Sequence, residues 1–177
     1  MNAFSEALVC NVKSDVIPDE YNYFGKLVGE WDFEFVDNQG TDKERRVKGE
    51  WIFSWVLGGT AIQDTFICPS RVERPTNPQP DGEYGTTLRI YNPNSKAWDI
   101  FYGCTGSATR LEARKEENKI ALTEITEKKM KWIFSDITEN TFHWQNISTQ
   151  DGTSWMVNSN IFATRRCRTQ DFVVVIP

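Results

Sequence analysis

From residue 31 onward, large apolar side chains recur at every second position. Trp31, Phe33 and Phe35 alternate with Asp32 and Glu34; Trp51, Phe53 and Trp55 alternate with Glu50, Ile52 and Ser54. A period of two puts successive side chains on opposite faces of an extended chain, so each segment reads as a strand with one buried face. The same reading along the chain predicts about ten strands, at roughly 31–37, 44–56, 60–68, 84–92, 97–103, 108–115, 119–126, 130–137, 141–148 and 154–166. Short turn signals separate them: Asn38-Gln39-Gly40, Gly58-Gly59, Asn92-Pro93-Asn94, Glu117-Asn118, Glu139-Asn140 and Asp151-Gly152. A meander of this kind has two bare edges, and closure removes them. The expected fold is all-β: a closed antiparallel up-and-down barrel of about ten strands with a short N-terminal helix.

Around that barrel, residues 1–18 read as a loose N-terminal arm, 19–168 as a single barrel domain and 169–177 as a C-terminal tail ending in a β-branched run. The domain opens with PDEYNYFGKLVGEW, where Tyr23, Phe24, Leu27 and Val28 have helical spacing, so a helix is expected over 19–28, ended by Gly29. The triplet Gly-Glu-Trp at 29–31 and 49–51 reads as two neighbouring strands entering the barrel in the same way. The Pro- and Asn-rich SRVERPTNPQPDGE is a loop, either a lid over a barrel mouth or a solvated excursion.

Alternation also assigns faces, although a slip of one residue inverts them. Inward positions are Trp51, Phe53 and Trp55; Trp98, Ile100 and Tyr102; Trp132 and Phe134; Phe142 and Trp144; and Trp155, Val157 and Ile161. Arg89 lies between Leu88 and Ile90, which claim the inward face of their strand. Small barrels are filled by their own side chains, whereas slightly larger ones hold one small ligand. On that basis Trp51, Trp55, Tyr102, Trp132 and Trp144 are expected to wall a cavity, with Asp64, Glu124 and Asn146 as its polar handle. The competing reading is that the rings are simply core and the polar groups an internal hydrogen-bond network.

The chain has 177 residues, enough for one domain, is 13% aromatic, and carries a net charge of −5. An acidic balance argues against nucleic acid or an anionic membrane surface as partner. Cys10, Cys68, Cys104 and Cys167 never form C-x-x-C, so no metal site or redox motif is expected and no cofactor is called for. With no basic leader and no membrane-length apolar run, the expected location is cytoplasmic. The single histidine, His143, falls opposite Trp144 and faces outward. No nucleophile elbow or phosphate loop is present.

Three functions remain open. The first is binding of a small, mostly apolar or aromatic molecule in the cavity. The second is an isomerase or cyclase in which Asp64 and Glu124, desolvated in the same lumen, act as acid and base. The third is a filled barrel acting as a structural or dimerisation module through outward Phe101, Ile133 and Ile137, with a homodimer as the partner.

The ordered motifs FSWVLGGTAIQDTFICP, YGTTLRIYNPNSKAWDIFY, WIFSDITENTFHWQNISTQDGTSW and ATRR resemble a bacterial lipocalin-like (calycin) family of unknown function, over roughly residues 22–166. The resemblance implies a closed antiparallel barrel with an N-terminal helix, and it implies no reaction. In lipocalins a Trp after a Gly near the first strand packs against an Arg of the last. Gly29 and Trp31 match that role, with Arg165 or Arg166 as partner. Two departures stand out. Asn146 is neutral where an acidic residue is expected, and NSNIFATRR lacks the histidine that haem-binding ten-stranded relatives use, which makes haem a minor alternative.

Overall fold

The computed structural model describes residues 2–167, so the expected 169–177 tail lies outside the described residues. A short helix, α1 (Ala3–Leu8), and a two-residue strand, β1 (Val9–Cys10), precede ten long strands. These are β2 (Gly29–Asp37), β3 (Arg45–Val56), β4 (Ala61–Cys68), β5 (Glu83–Asn92), β6 (Ala97–Cys104), β7 (Ser107–Glu116), β8 (Lys119–Glu124), β9 (Met130–Ser135), β10 (Thr141–Thr149) and β11 (Trp155–Arg165). Each falls on one of the strands expected from alternation.

Every strand from β2 to β11 pairs antiparallel with the next, and β11 pairs back onto β2, so the sheet closes without a free edge. The protein is therefore a closed ten-stranded antiparallel barrel. The two Gly-Glu-Trp triplets do sit on neighbouring strands, but these run in opposite directions. Trp31 is directly opposite Trp51, and Phe33 opposite Gly49. That pairing uses the missing side chain, because a Cβ on Gly49 would stand 2.1 Å from the Phe33 ring.

The expected helix over 19–28 is replaced by two single 3-10 turns, Asp19–Tyr21 and Gly25–Leu27. Their apolar residues plug the closed end of the barrel instead of lying along it. Ile17, Phe24 and Leu27 are fully buried, and the Trp98 indole donates to the Tyr21 carbonyl at 2.9 Å. The 1–18 arm is likewise not loose. Where β2 has ended, β1 takes its place beside β3, pairing Val9 with Val56 and Cys10 with Trp55.

Two face assignments are corrected. On β5 the inward residues are Gly85, Thr87, Arg89 and Tyr91, while Leu88 and Ile90 face out half-buried. On β11 the pairing jumps from Asn146–Ser159 to Ile147–Val157, leaving Asn158 as an extra residue. A bulge of this kind shifts parity by one. Ile161 stays inside, but Trp155 lies under the Lys131 ammonium at 4.9 Å and Val157 is 47% exposed.

Candidate functional site

Trp31 closes the floor of the barrel. Its indole donates to the Leu27 carbonyl at 2.8 Å, and the Arg165 guanidinium lies 4.1 Å from its ring centroid. Arg165 also donates to the carbonyls of Glu139 at 2.6 Å, Lys26 at 2.7 Å and Val28 at 2.8 Å. Gly29 adopts φ +135°, and a Cβ there would stand 2.3 Å from Arg165 Nη1. The Gly–Trp–Arg closure suggested by the resemblance is thus present, with Arg165 as the partner. Arg166 turns outward to Asp32.

Above the floor, aromatic rings fill the middle of the barrel. Trp51 is the hub, within 5.1 Å of both Phe53 and Phe66 and 6.0 Å of Trp144, centroid to centroid. Beside it lies a buried ion pair, with Arg89 Nη1 2.5 Å from Asp64 Oδ2 and both side chains out of solvent. The guanidinium sits between the rings of Phe24 and Phe53, 5.3 and 5.1 Å from their centroids. Thr87 N–H donates to Asp64 Oδ1 at 3.1 Å. Burial pushes the Asp64 carboxyl up and Arg89 opposes it. Protonating Asp64 would strand a guanidinium in the core, which ties the two side chains to one another.

The other half of the barrel is open, with a cavity of about 450 Å³. Its apolar wall comprises Phe35, Val47, Trp51, Phe66, Tyr102, Met130, Trp132 and Trp144, and Asn146, Ser159, Thr87 and Thr109 add polar atoms. The indole N–H of Trp144 has no hydrogen-bond partner among the described residues. The 70–83 segment lies against the mouth and supplies Gln79, Asp81, Gly82 and Glu83 to the lining. Arg45 pins it there, donating to Asp81 Oδ1 at 2.8 Å and to Asp37 Oδ2 at 3.1 Å. Arg71 anchors its start by donating three times to buried Glu50, once from its backbone N–H and twice from its guanidinium, at 2.8 Å each.

Five of the eight expected site residues reach this cavity: Trp51, Tyr102, Trp132, Trp144 and Asn146. The other three do not line it. Trp55 is buried at the closed end, opposite Ile62 and Cys10. Asp64 is inward but sealed against Arg89. Glu124 has inward parity, yet β8 stops there, and its carboxylate folds back to accept the backbone N–H groups of Thr126, Glu127 and Lys128 at 2.6–3.1 Å. The Thr126 hydroxyl, together with those backbone bonds, holds its pKa down at about 2.

Two carboxylates do line the cavity: Asp81, which Arg45 holds, and Glu83, the first residue of β5 and the last of the Pro-rich loop. Tyr102 donates a short hydrogen bond to its Oε1. Burial raises the Glu83 pKa against the pull of that bond, and burial raises Tyr102 as well. Gly85 makes the meeting possible: a Cβ there would stand 3.0 Å from the Tyr102 hydroxyl and 3.2 Å from Glu83 Oε1. Sequence reading passed over Glu83 because it stands at a loop–strand boundary, where alternation has barely begun. His143 faces out as expected, stacked on Phe162 at 4.7 Å with Nε2 2.9 Å from Asn160 Oδ1.

No protein-family model and no curated protein matches this sequence. Two solved structures share its architecture. Rv2717c from M. tuberculosis superposes with a TM-score of 0.54 at 10% identity, over 85% of this chain and 99% of that one. The S-type phycobiliprotein lyase CPES from Guillardia theta superposes with a TM-score of 0.55 at 12% identity, over 82% and 92%. At such identities the shared property is the fold, a lipocalin-like closed barrel. No helix among the described residues is long and apolar enough to cross a membrane.

Proposed function

We propose that this protein binds a small, mostly apolar or aromatic molecule in the open half of its barrel. One observation carries the reading: the rings that fill the floor stop short of the mouth, leaving about 450 Å³ walled by Trp51, Tyr102, Trp132 and Trp144. A concave, largely apolar site with a few polar groups is the usual form of a small-molecule pocket. The net charge of −5 supports such a ligand over nucleic acid. One protein with this fold is by name a phycobiliprotein lyase. The acid–base alternative built on Asp64 and Glu124 loses its footing here, because neither carboxylate lines the cavity.

Native mass spectrometry of the protein purified from its own host, compared with the denatured mass, tests the proposal. The expected result is a co-purifying small molecule that Trp132→Ala releases. A bare protein, whose tryptophan fluorescence ignores a panel of apolar probes, would refute it.

A further inference from the structure

We infer that the cavity recognises an organic cation, an amine or quaternary ammonium head on an apolar body, with the Glu83 carboxylate as counter-charge and Tyr102, Trp132 and Trp144 as a ring cage around the head. The inference rests on the proposed cavity binding. The rings stand at steep angles to one another: Tyr102 and Trp132 are perpendicular at 5.2 Å, and Trp132 and Trp144 meet at 53° and 6.0 Å. All three rings line the same cavity, and an aromatic wall attracts a positive charge through the ring quadrupoles.

The charges of the lining agree. Its ionisable groups of fixed sign are Arg45, Asp81 and Glu83. The Arg45 guanidinium is already shared between Asp37 and Asp81, so no cation remains among the described lining residues to receive an anionic ligand. Glu83 has a single side-chain donor, Tyr102, and no other side chain donates to its carboxylate among the described residues. A carboxylate with no cationic partner, in a cavity walled mostly by aromatic rings, suits an amphiphilic cation and disfavours a fatty acid.

Glu83 faces several ionisable groups. Cys68 and Asp64 approach from β4, Tyr102 and Cys104 from β6, and Asp81 from the loop. Burial pushes the Cys68 thiol up to about 12, and Tyr102 is raised too, so both keep their protons near neutrality. Asp64 is tied to Arg89 and Asp81 to Arg45.

The test uses three probes of equal chain length at sub-micellar concentration: decyltrimethylammonium, 1-decanol and decanoate, titrated at pH 8 by calorimetry and tryptophan fluorescence. The expected order is cation, alcohol, carboxylate, with the cation bound about tenfold or more tighter than decanoate. Glu83→Gln should remove about tenfold from the cation and leave decanol unchanged. Glu116→Gln, the same charge change on the exposed surface, should alter neither. Decanoate binding as well as the cation, or discrimination that survives Glu83→Gln, overturns the cation assignment while decanol binding still upholds the cavity. Failure of all three probes overturns both. If Glu83→Gln does not fold, acidification of the wild type takes its place: cation affinity should fall as the Glu83 carboxyl gains its proton, and a pH-independent preference overturns the assignment.

Discussion

Arg165→Ala should open the barrel floor, and the cost follows from the bonds lost. The guanidinium makes three hydrogen bonds to carbonyls, at 2.6, 2.7 and 2.8 Å, and stacks on Trp31 at 4.1 Å. Hydrogen bonds to a charged group contribute ~1.5–3 kcal/mol each when shielded, and a ring stack ~0.5–2 kcal/mol. Arg165 is half-buried, so water replaces part of what is lost; about 3 kcal/mol in all is the expected penalty. Urea unfolding reads this directly. With a slope of ~2 kcal/mol/M, the midpoint should fall by about 1.5 M at unchanged slope. Arg165→Lys should recover no more than about a third, because an ammonium on a flexible stem cannot serve three carbonyls in one plane and stack as well. Arg166→Ala is the comparator. Its ion pairs are at the surface, and Arg71 still covers Glu50, so it should cost about 1 kcal/mol or less. If Arg165→Lys matches wild type, or Arg166→Ala costs more than Arg165→Ala, the floor is not held as described.

Gly49→Ala should destabilise by ~1–3 kcal/mol through overpacking against Phe33, which is wedged on Phe66 at 5.0 Å, and Phe33→Leu in the same chain should relieve much of the loss in thermal unfolding. Asp64→Ala should cost ~3–5 kcal/mol by leaving Arg89 buried and unpaired, whereas Asp64→Leu with Arg89→Met should lie closer to wild type, as a double-mutant cycle would report. The Arg71 hydrogen bonds hold Glu50 at about 2, below its ordinary 4.5, so its stabilisation is fully present above pH 4.5 and is lost as pH falls towards 2. The amount is about 2 kcal/mol, since Arg71 itself is half exposed, and Glu50→Gln should flatten the stability profile over that acid range alone.

Much of the molecule was legible because strand alternation is a local property. All ten barrel strands, the inward rings of β3, β6, β9 and β10, and the Trp31 floor could be read from spacing and from the resemblance. The misreadings have specific causes. Arg89 reads as outward because Leu88 and Ile90 look like core, yet a half-buried outer face accepts apolar side chains, and a buried arginine is stable wherever a partner such as Asp64 meets it. Trp155 and Val157 read as inward from alternation alone, because the bulge at Asn158 shows only in the pairing of two strands. Glu124 has the right parity, but its strand ends at a turn whose free amides hold the carboxylate. The segment 19–28 has helical spacing because its residues converge on one plug, which two tight turns achieve as well as a helix.

The order of polar and apolar residues was enough to specify a closed barrel and the side of the wall on which most rings lie, since a strand exposes its two faces by simple alternation. It could not say how deep each ring sits, because depth depends on how ten tilted strands and a plugging segment meet in space. Only closure of the barrel decided that Trp55 packs the floor while Trp132 faces a void. The same closure sealed Asp64 against Arg89 and left Glu83, from the end of a loop, as the carboxylate of the open half that no cation pairs.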